Sequence, residues 1–352
     1  MKKYFNKGLI YQWFNSAKMM ILLGIVAWGF WSNMMVEDQI NITSHFISEN
    51  FDNGYSTYSI FNYVILGIIF AMIHFMSQGI NKRNNNMFLT SAPYTKKQIK
   101  YNEFICLMIN LFIFIAVFAY INIMAYIRHH DLMTIIDGYF KVFGIEVLKM
   151  ILFGTTGILV LLIVDSMFSN AIMGIICMIS ILPGALFFIV CRLFTVLDYI
   201  SCGNGDSLLS KIGDFVGVNL FGGENIYLFD YVDSKIIKNS KLFSESAVVI
   251  VIIVALLAIY CTMQKKYKVE SNTKMFTSRL NEKIVVIFSS IGAGAALSTL
   301  FLDPYIYKLK GMSYGLLTGI NLVKALGMEF GIITLASFIA YKIVNKFLKN
   351  IQ

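Results

Sequence analysis

Ionisable side chains set inside long apolar runs are the residues of this chain best placed to do chemistry, since a charge in an apolar layer is costly and persists where it is paired or used. Lys324 and Glu329 stand deepest in such a run. They are five apart and do not share a helical face, so Glu329 needs a partner on another helix or a wet cavity. The two are the candidates for a path that moves charge or cargo. Glu146 and Lys149 form an i, i+3 pair, Asp165 closes the same run and Arg192 closes the next. Snorkelling or local pairing accounts for these four. His74 is a lone imidazole in an apolar run and reads as a packing or hydrogen-bonding residue. His129 and His130 are adjacent rather than one turn apart, so no metal site is expected from the histidines and no cofactor is implied. No GxxxxGK[ST], GxSxG or HExxH motif occurs. No residue is assigned as catalytic, and ATP hydrolysis by the usual route is excluded.

The element that must position a different kind of site is the polar, basic stretch 81–103, NKRNNNMFLTSAPYTKKQIKYNE. Pro93 fixes its own φ and pushes Ala92 away from helical geometry, so a helix begins only beyond it. Thr95 with Gln98 three residues on has the capping-box pattern, which predicts a helix starting near Lys96. That helix runs through Ile99 and Phe104 into the next apolar run. Lys96, Lys97 and Lys100 lie in its first turns, where the helix dipole disfavours cations by about a few tenths of a kcal/mol each. Met87, Phe88 and Leu89 form an apolar knob upstream. Basic residues that only follow the positive-inside rule explain the charges, but neither the cap nor the knob.

Composition fixes the class. At 57% hydrophobic and 14% charged residues, with a mean hydropathy of +0.69, the sequence predicts an all-α, polytopic helical membrane protein. The net charge of +9 sits in the gaps between apolar runs without any nucleic-acid motif, so the partner it implies is the lipid bilayer and not nucleic acid. The five cysteines have no CxxC or metal-ligand spacing, so no disulfide framework follows. The first apolar run resembles a signal peptide in outline but lacks a small-residue cleavage site, and is expected to stay as a span.

Residues 1–18 place Phe5, Leu9 and Trp13 along one face among lysines, as in an interfacial elbow helix. Eight transmembrane helices are expected near 19–36, 58–80, 104–127, 143–166, 170–192, 246–263, 284–302 and 315–342. The first five, with the loop 81–103, make a region 19–195. Residues 196–245, with the turn-forming CGNGD and FGGEN, make a small external subdomain, and 246–352 holds the last three spans with the basic loop 264–283. Proposed inside segments carry eighteen Lys and Arg against eight in the outside loops, and 37–57 has four acids and no Lys or Arg. This predicts cytoplasmic termini and loops 81–103 and 264–283 in a multi-pass cell-membrane protein. Pro183 and Gly184 should kink the fifth span, for packing or as a moving element. Gly311, Gly315 and Gly319, then Gly327 and Gly331, are spaced for close helix contact, within the fold or across a dimer.

Two stretches carry a resemblance to a known family. MFLTSAPYTKKQIKYNEF is similar to the permease subunits of type-2 ABC exporters of low-GC Gram-positive bacteria, which place an apolar turn, a Pro, a Ser or Thr, a basic pair and an amphipathic helix before the third span. KKYKVESNTKMFTSRLNEK, with Glu270, resembles the basic loop of the same family. The resemblance implies that residues 84–103 are a coupling helix, with Phe88, Leu89, Pro93, Tyr94, Thr95, Lys96, Lys97 and Gln98 contacting a separate cytoplasmic ABC ATPase subunit. It also implies a second permease subunit, as homo- or heterodimer, and an amphipathic cargo such as a peptide antibiotic. Eight spans depart from the family's usual six. The rival reading is an ion-coupled secondary transporter or channel using Glu329, Lys324 and His74, against which stands the lack of matched Gly- or Pro-interrupted spans in the two halves. A membrane enzyme would need catalytic side chains clustered at one depth, and the sequence offers none.

Overall fold

The computed structural model describes residues 6–50, 53–78, 94–169, 171–200, 229, 231, 234–266, 276–310 and 319–351. Phe88, Leu89 and Pro93, most of the expected external subdomain including Cys202, most of the loop 264–283, and Gly311 and Gly315 lie outside the described residues. The long helices are α1 (Lys7–Asn50), α2 (Val64–Gln78), α3 (Lys96–Arg128), α4 (Tyr139–Met167), α5 (Ala171–Ile176), α6 (Leu182–Ile200), α7 (Asn239–Lys266), α8 (Arg279–Lys310) and α9 (Gly319–Ile351). Among the described residues no strand forms, and two isolated bridges are all the extended pairing there is. Six helices, α1, α3, α4, α7, α8 and α9, are long and apolar enough to cross a membrane, while the apolar segments Val64–Ser77 and Leu182–Leu193 are shorter.

Helix α1 covers the stretch expected as an elbow, the first span and much of the loop expected after it. No proline interrupts residues 7–50, and the polar continuation stays helical because Ile40 and Thr43 are buried along one face. Helix α6 follows a π-helical segment, Cys177–Ile181, whose wide turn is closed by the Leu182 amide donating to the Cys177 carbonyl. Pro183, which lacks an amide and would clash with a carbonyl one turn back, sits directly after it. The irregularity expected at Pro183 is therefore this π segment. Helix α8 runs through Pro304 to Lys310, past the end expected for its span.

The chain divides into two compact units. The first comprises residues 1–166 and 220–266 and is built on α1, α2, α3, α4 and α7. Helices α1 and α2 are antiparallel: the Trp31 indole donates to the Asn62 carbonyl at 3.0 Å, and Ser16 donates to the Ser77 carbonyl at 3.2 Å. Trp28, fully buried, donates to the Phe114 carbonyl of α3 at 3.1 Å. Gly24 matters here, because a Cβ at that position would strike Ile69 and Phe114. Trp28, Phe118, Tyr58 and Tyr63 form an aromatic core. Where the chain turns into α4, Gly138 takes φ +79°, and a Cβ there would overlap Ser234. Only glycine fits that turn.

The second unit comprises residues 167–219 and 267–352, with α5, α6, α8 and α9. The Thr277 amide donates to the Met167 carbonyl at 3.0 Å, and Phe168 packs on Phe276. Close approach comes from Gly292, whose missing Cβ leaves room for Ala185, and from Gly294 against Ser337. Leu302 and Ala325 centre a small apolar core with Leu322 and Ile332.

Candidate functional site

The expected capping box is present. Thr95 has extended backbone, its hydroxyl accepts from the Gln98 amide at 3.3 Å, and the Gln98 side chain accepts from the Thr95 amide at 2.9 Å. From Lys96 the helix continues unbroken for 33 residues to Arg128. Asn102 accepts from the Asn6 amide at 3.2 Å, and a Cβ at Gly8 would meet the Tyr94 hydroxyl, so the start of α3 rests on the start of α1. Lys97 is exposed. Lys100 is not a surface charge of the loop: it is buried and turned inward.

Lys100 belongs to a cluster that the sequence did not reveal. Its ammonium lies 2.7 Å from Glu103 Oε2 and 3.5 Å from Asp165 Oδ2. The His74 ring lies between the same two carboxylates, with Nδ1 3.6 Å from Glu103 Oε1 and Nε2 3.6 Å from Asp165 Oδ1. Helices α2, α3 and α4 each contribute, and α7 closes the site through Tyr260, whose hydroxyl donates to the Lys100 carbonyl at 3.2 Å. His74 and Asp165 are 0% and 1% exposed. His74 is thus no isolated packing residue, and Asp165 does not snorkel. The one sequence signal for the cluster was the i, i+3 pair of Lys100 and Glu103; the other two members come from distant helices.

At the opposite end of the same unit, Glu146 and Lys149 pair at 2.9 Å, as their spacing suggested. Together they grip the backbone of residue 58. Glu146 accepts from the Tyr58 amide at 2.9 Å, Lys149 donates to the Tyr58 carbonyl at 2.6 Å, and Tyr63 donates to Glu146. Beside them Glu245 accepts from the Tyr231 hydroxyl at 2.7 Å and the Phe229 amide at 3.1 Å. Burial pushes the Tyr231 hydroxyl above its ordinary range, which keeps it a donor to this carboxylate. All of these contacts fix the chain.

In the second unit Glu329 has the partner on another helix that its depth required. Arg192 of α6 grips it in a bidentate fork through Nε and Nη2, the latter at 2.5 Å, and Ser298 of α8 donates to it at 2.9 Å. Both charges are buried. Lys324, the other candidate, is exposed. Among the described residues no heavy atom lies within 4 Å of where a Cβ would stand at Gly327 or Gly331.

These features define the class: an all-α membrane protein with buried ion clusters holding its helices. Comparison with protein-family models, with curated proteins and with solved structures found no match for the chain.

Proposed function

We propose that the chain is the permease subunit of an ATP-driven ABC exporter of the type-2 class, with eight membrane helices, cytoplasmic termini, and a separate ABC ATPase as its motor. The observation that carries this reading is the capped start of α3 and its unbroken run from Lys96 to Arg128. A helix that begins at a defined polar cap and continues straight into an apolar segment transmits a push at the loop into the span, which is what a coupling element needs. The loop 81–103 supplies the anchor, since a few buried residues ringed by polar ones carry most of a protein interface. A second permease subunit completes the pore, and the cargo is an amphipathic compound such as a peptide antibiotic. Binding of Glu329 by Arg192 favours this reading over an ion path, because a carboxylate already neutralised in a fork is a poor carrier.

The test is co-purification of an ABC ATPase with the chain from native membranes, with cargo-stimulated hydrolysis measured alongside. Phe88→Ala should weaken the association by about 2 kcal/mol, roughly thirtyfold, while Asn84→Ala changes it little. A wild-type preparation that carries no ABC ATPase, or a Phe88→Ala protein that keeps wild-type association, refutes the proposal.

A further inference from the structure

We propose that His74, Glu103 and Asp165 form a binding site for one divalent transition-metal cation of the zinc type, with the Lys100 ammonium against the far oxygens of the two carboxylates. The inference stands on the geometry of the first unit and does not depend on the exporter reading.

Lys100 occupies the far oxygens, Oε2 of Glu103 and Oδ2 of Asp165. The near oxygens, Oε1 and Oδ1, face the imidazole, and the two separations of 3.6 Å exceed a hydrogen bond. They run to opposite nitrogens of the ring, and a single ion takes one of these, so the ring must turn one nitrogen toward both carboxylates. Ligand atoms at about 2.0–2.2 Å from a tetrahedral zinc ion lie roughly 3.3–3.6 Å from one another. One ligand atom from each of the three residues lies within 4.8 Å of the others, so side-chain shifts of about an ångström close the set around an ion. The ligands sit on three packed helices, which holds them more firmly than loops would.

Donor chemistry selects the ion. One imidazole and two carboxylates suit zinc or cobalt, whereas magnesium and calcium prefer more numerous, all-oxygen ligands. Charge points the same way, because among the described residues two carboxylates face a single ammonium, which leaves negative charge for a cation to offset. Lys100 lies against the far oxygens and takes up part of the carboxylate charge. Its charge also opposes that of the ion, and this gives the proposal a signature that a plain ion-pair cluster lacks: removing the ammonium should tighten metal binding.

The experiment uses the full chain purified in detergent and stripped with a chelator. Cobalt(II) is titrated while its visible absorption is followed, and zinc is then added in competition and the bound metal counted. The expected result is one equivalent per chain with a tetrahedral cobalt spectrum that zinc abolishes. His74→Gln and Asp165→Asn should each bind at least tenfold more weakly, Lys100→Met should bind more tightly, and His45→Gln, which alters an exposed histidine, should bind as the wild type. Less than a tenth of an equivalent in the wild-type chain overturns the proposal and leaves the four residues as a closed ring of ion pairs. Binding that survives His74→Gln unchanged, or that Lys100→Met weakens, overturns it too. Should the ligand variants fail to fold, the wild-type stoichiometry and the Lys100→Met shift decide between the two outcomes.

Discussion

Glu329 offers the sharpest separation between a charge that holds helices together and a charge that moves something. It is 0% exposed, Arg192 is 3% exposed, and the two meet in a bidentate fork that Ser298 completes. Glu329→Leu removes both carboxylate oxygens from the guanidinium and should destabilise the second unit by about 3–5 kcal/mol, the range for removing one partner of a buried ion pair. Glu329→Gln keeps one acceptor oxygen and should cost less, about 1.5–3 kcal/mol, the range for a hydrogen bond to a charged group. In the double variant Arg192→Leu with Glu329→Leu no charge remains buried, and most of the lost stability should return. Thermal unfolding in detergent reads the ladder, and export assays on the same variants read function. A double variant as unstable as Glu329→Leu would refute the holding role. A stable double variant that has lost export, in a protein whose wild type exports, would show that the carboxylate itself works in transport.

Thr95→Ala removes one half of the capping box and should cost about 1 kcal/mol at the start of α3; hydrogen exchange of amides 96–99 should quicken by roughly fivefold, and unchanged exchange would show that the cap does not hold the helix start. Gly292→Ala places a Cβ into Ala185 and should lower thermal stability, whereas Gly327→Ala meets open space and should not; equal effects would contradict the packing of α6 on α8. For topology, an impermeant maleimide applied to intact cells should label Cys202 and spare a cysteine introduced at Ser271, and equal labelling would break the eight-span arrangement.

The sequence made legible whatever is encoded locally. The cap at Thr95 depends on residues three apart, and the apolar runs declare their own helices, so both were found. Glu146 with Lys149 was visible for the same reason. The cluster around His74 was not, because its members come from α2, α3 and α4 and no spacing along the chain relates them. Lys100 was counted with the basic loop although it points inward, since a lysine at a helix start looks alike whether it meets solvent or a carboxylate. The spacing of glycines does not say which of them a neighbour approaches: a Cβ at Gly327 or Gly331 would meet no described atom within 4 Å, while the close approaches fall at Gly292 and Gly294, where the deciding factor is what stands opposite. Glu37 and Asp38 suggested a loop, but a helix satisfies its backbone internally and needs only one buried stripe to continue past them.

The length of α1 has a mechanical consequence. Its 44 residues make a rod of about 66 Å, against a hydrocarbon layer of about 30 Å, so at least one end stands well clear of the apolar slab. Beyond its apolar middle, Glu37 is clamped to the end of α3 by Arg128 at 2.5 Å and His129 at 2.9 Å, while near its start Asn6 is held by Asn102. α3 is thus held to α1 near both of its own ends, while α1 runs on from Glu37 to Asn50. A pivot of about 5° at the midpoint of such a rod sweeps its tips through roughly 3 Å, enough to break or remake a polar contact. Any tilt of α1 would therefore carry α3 with it, with a small displacement at mid-rod and a larger one at the tips.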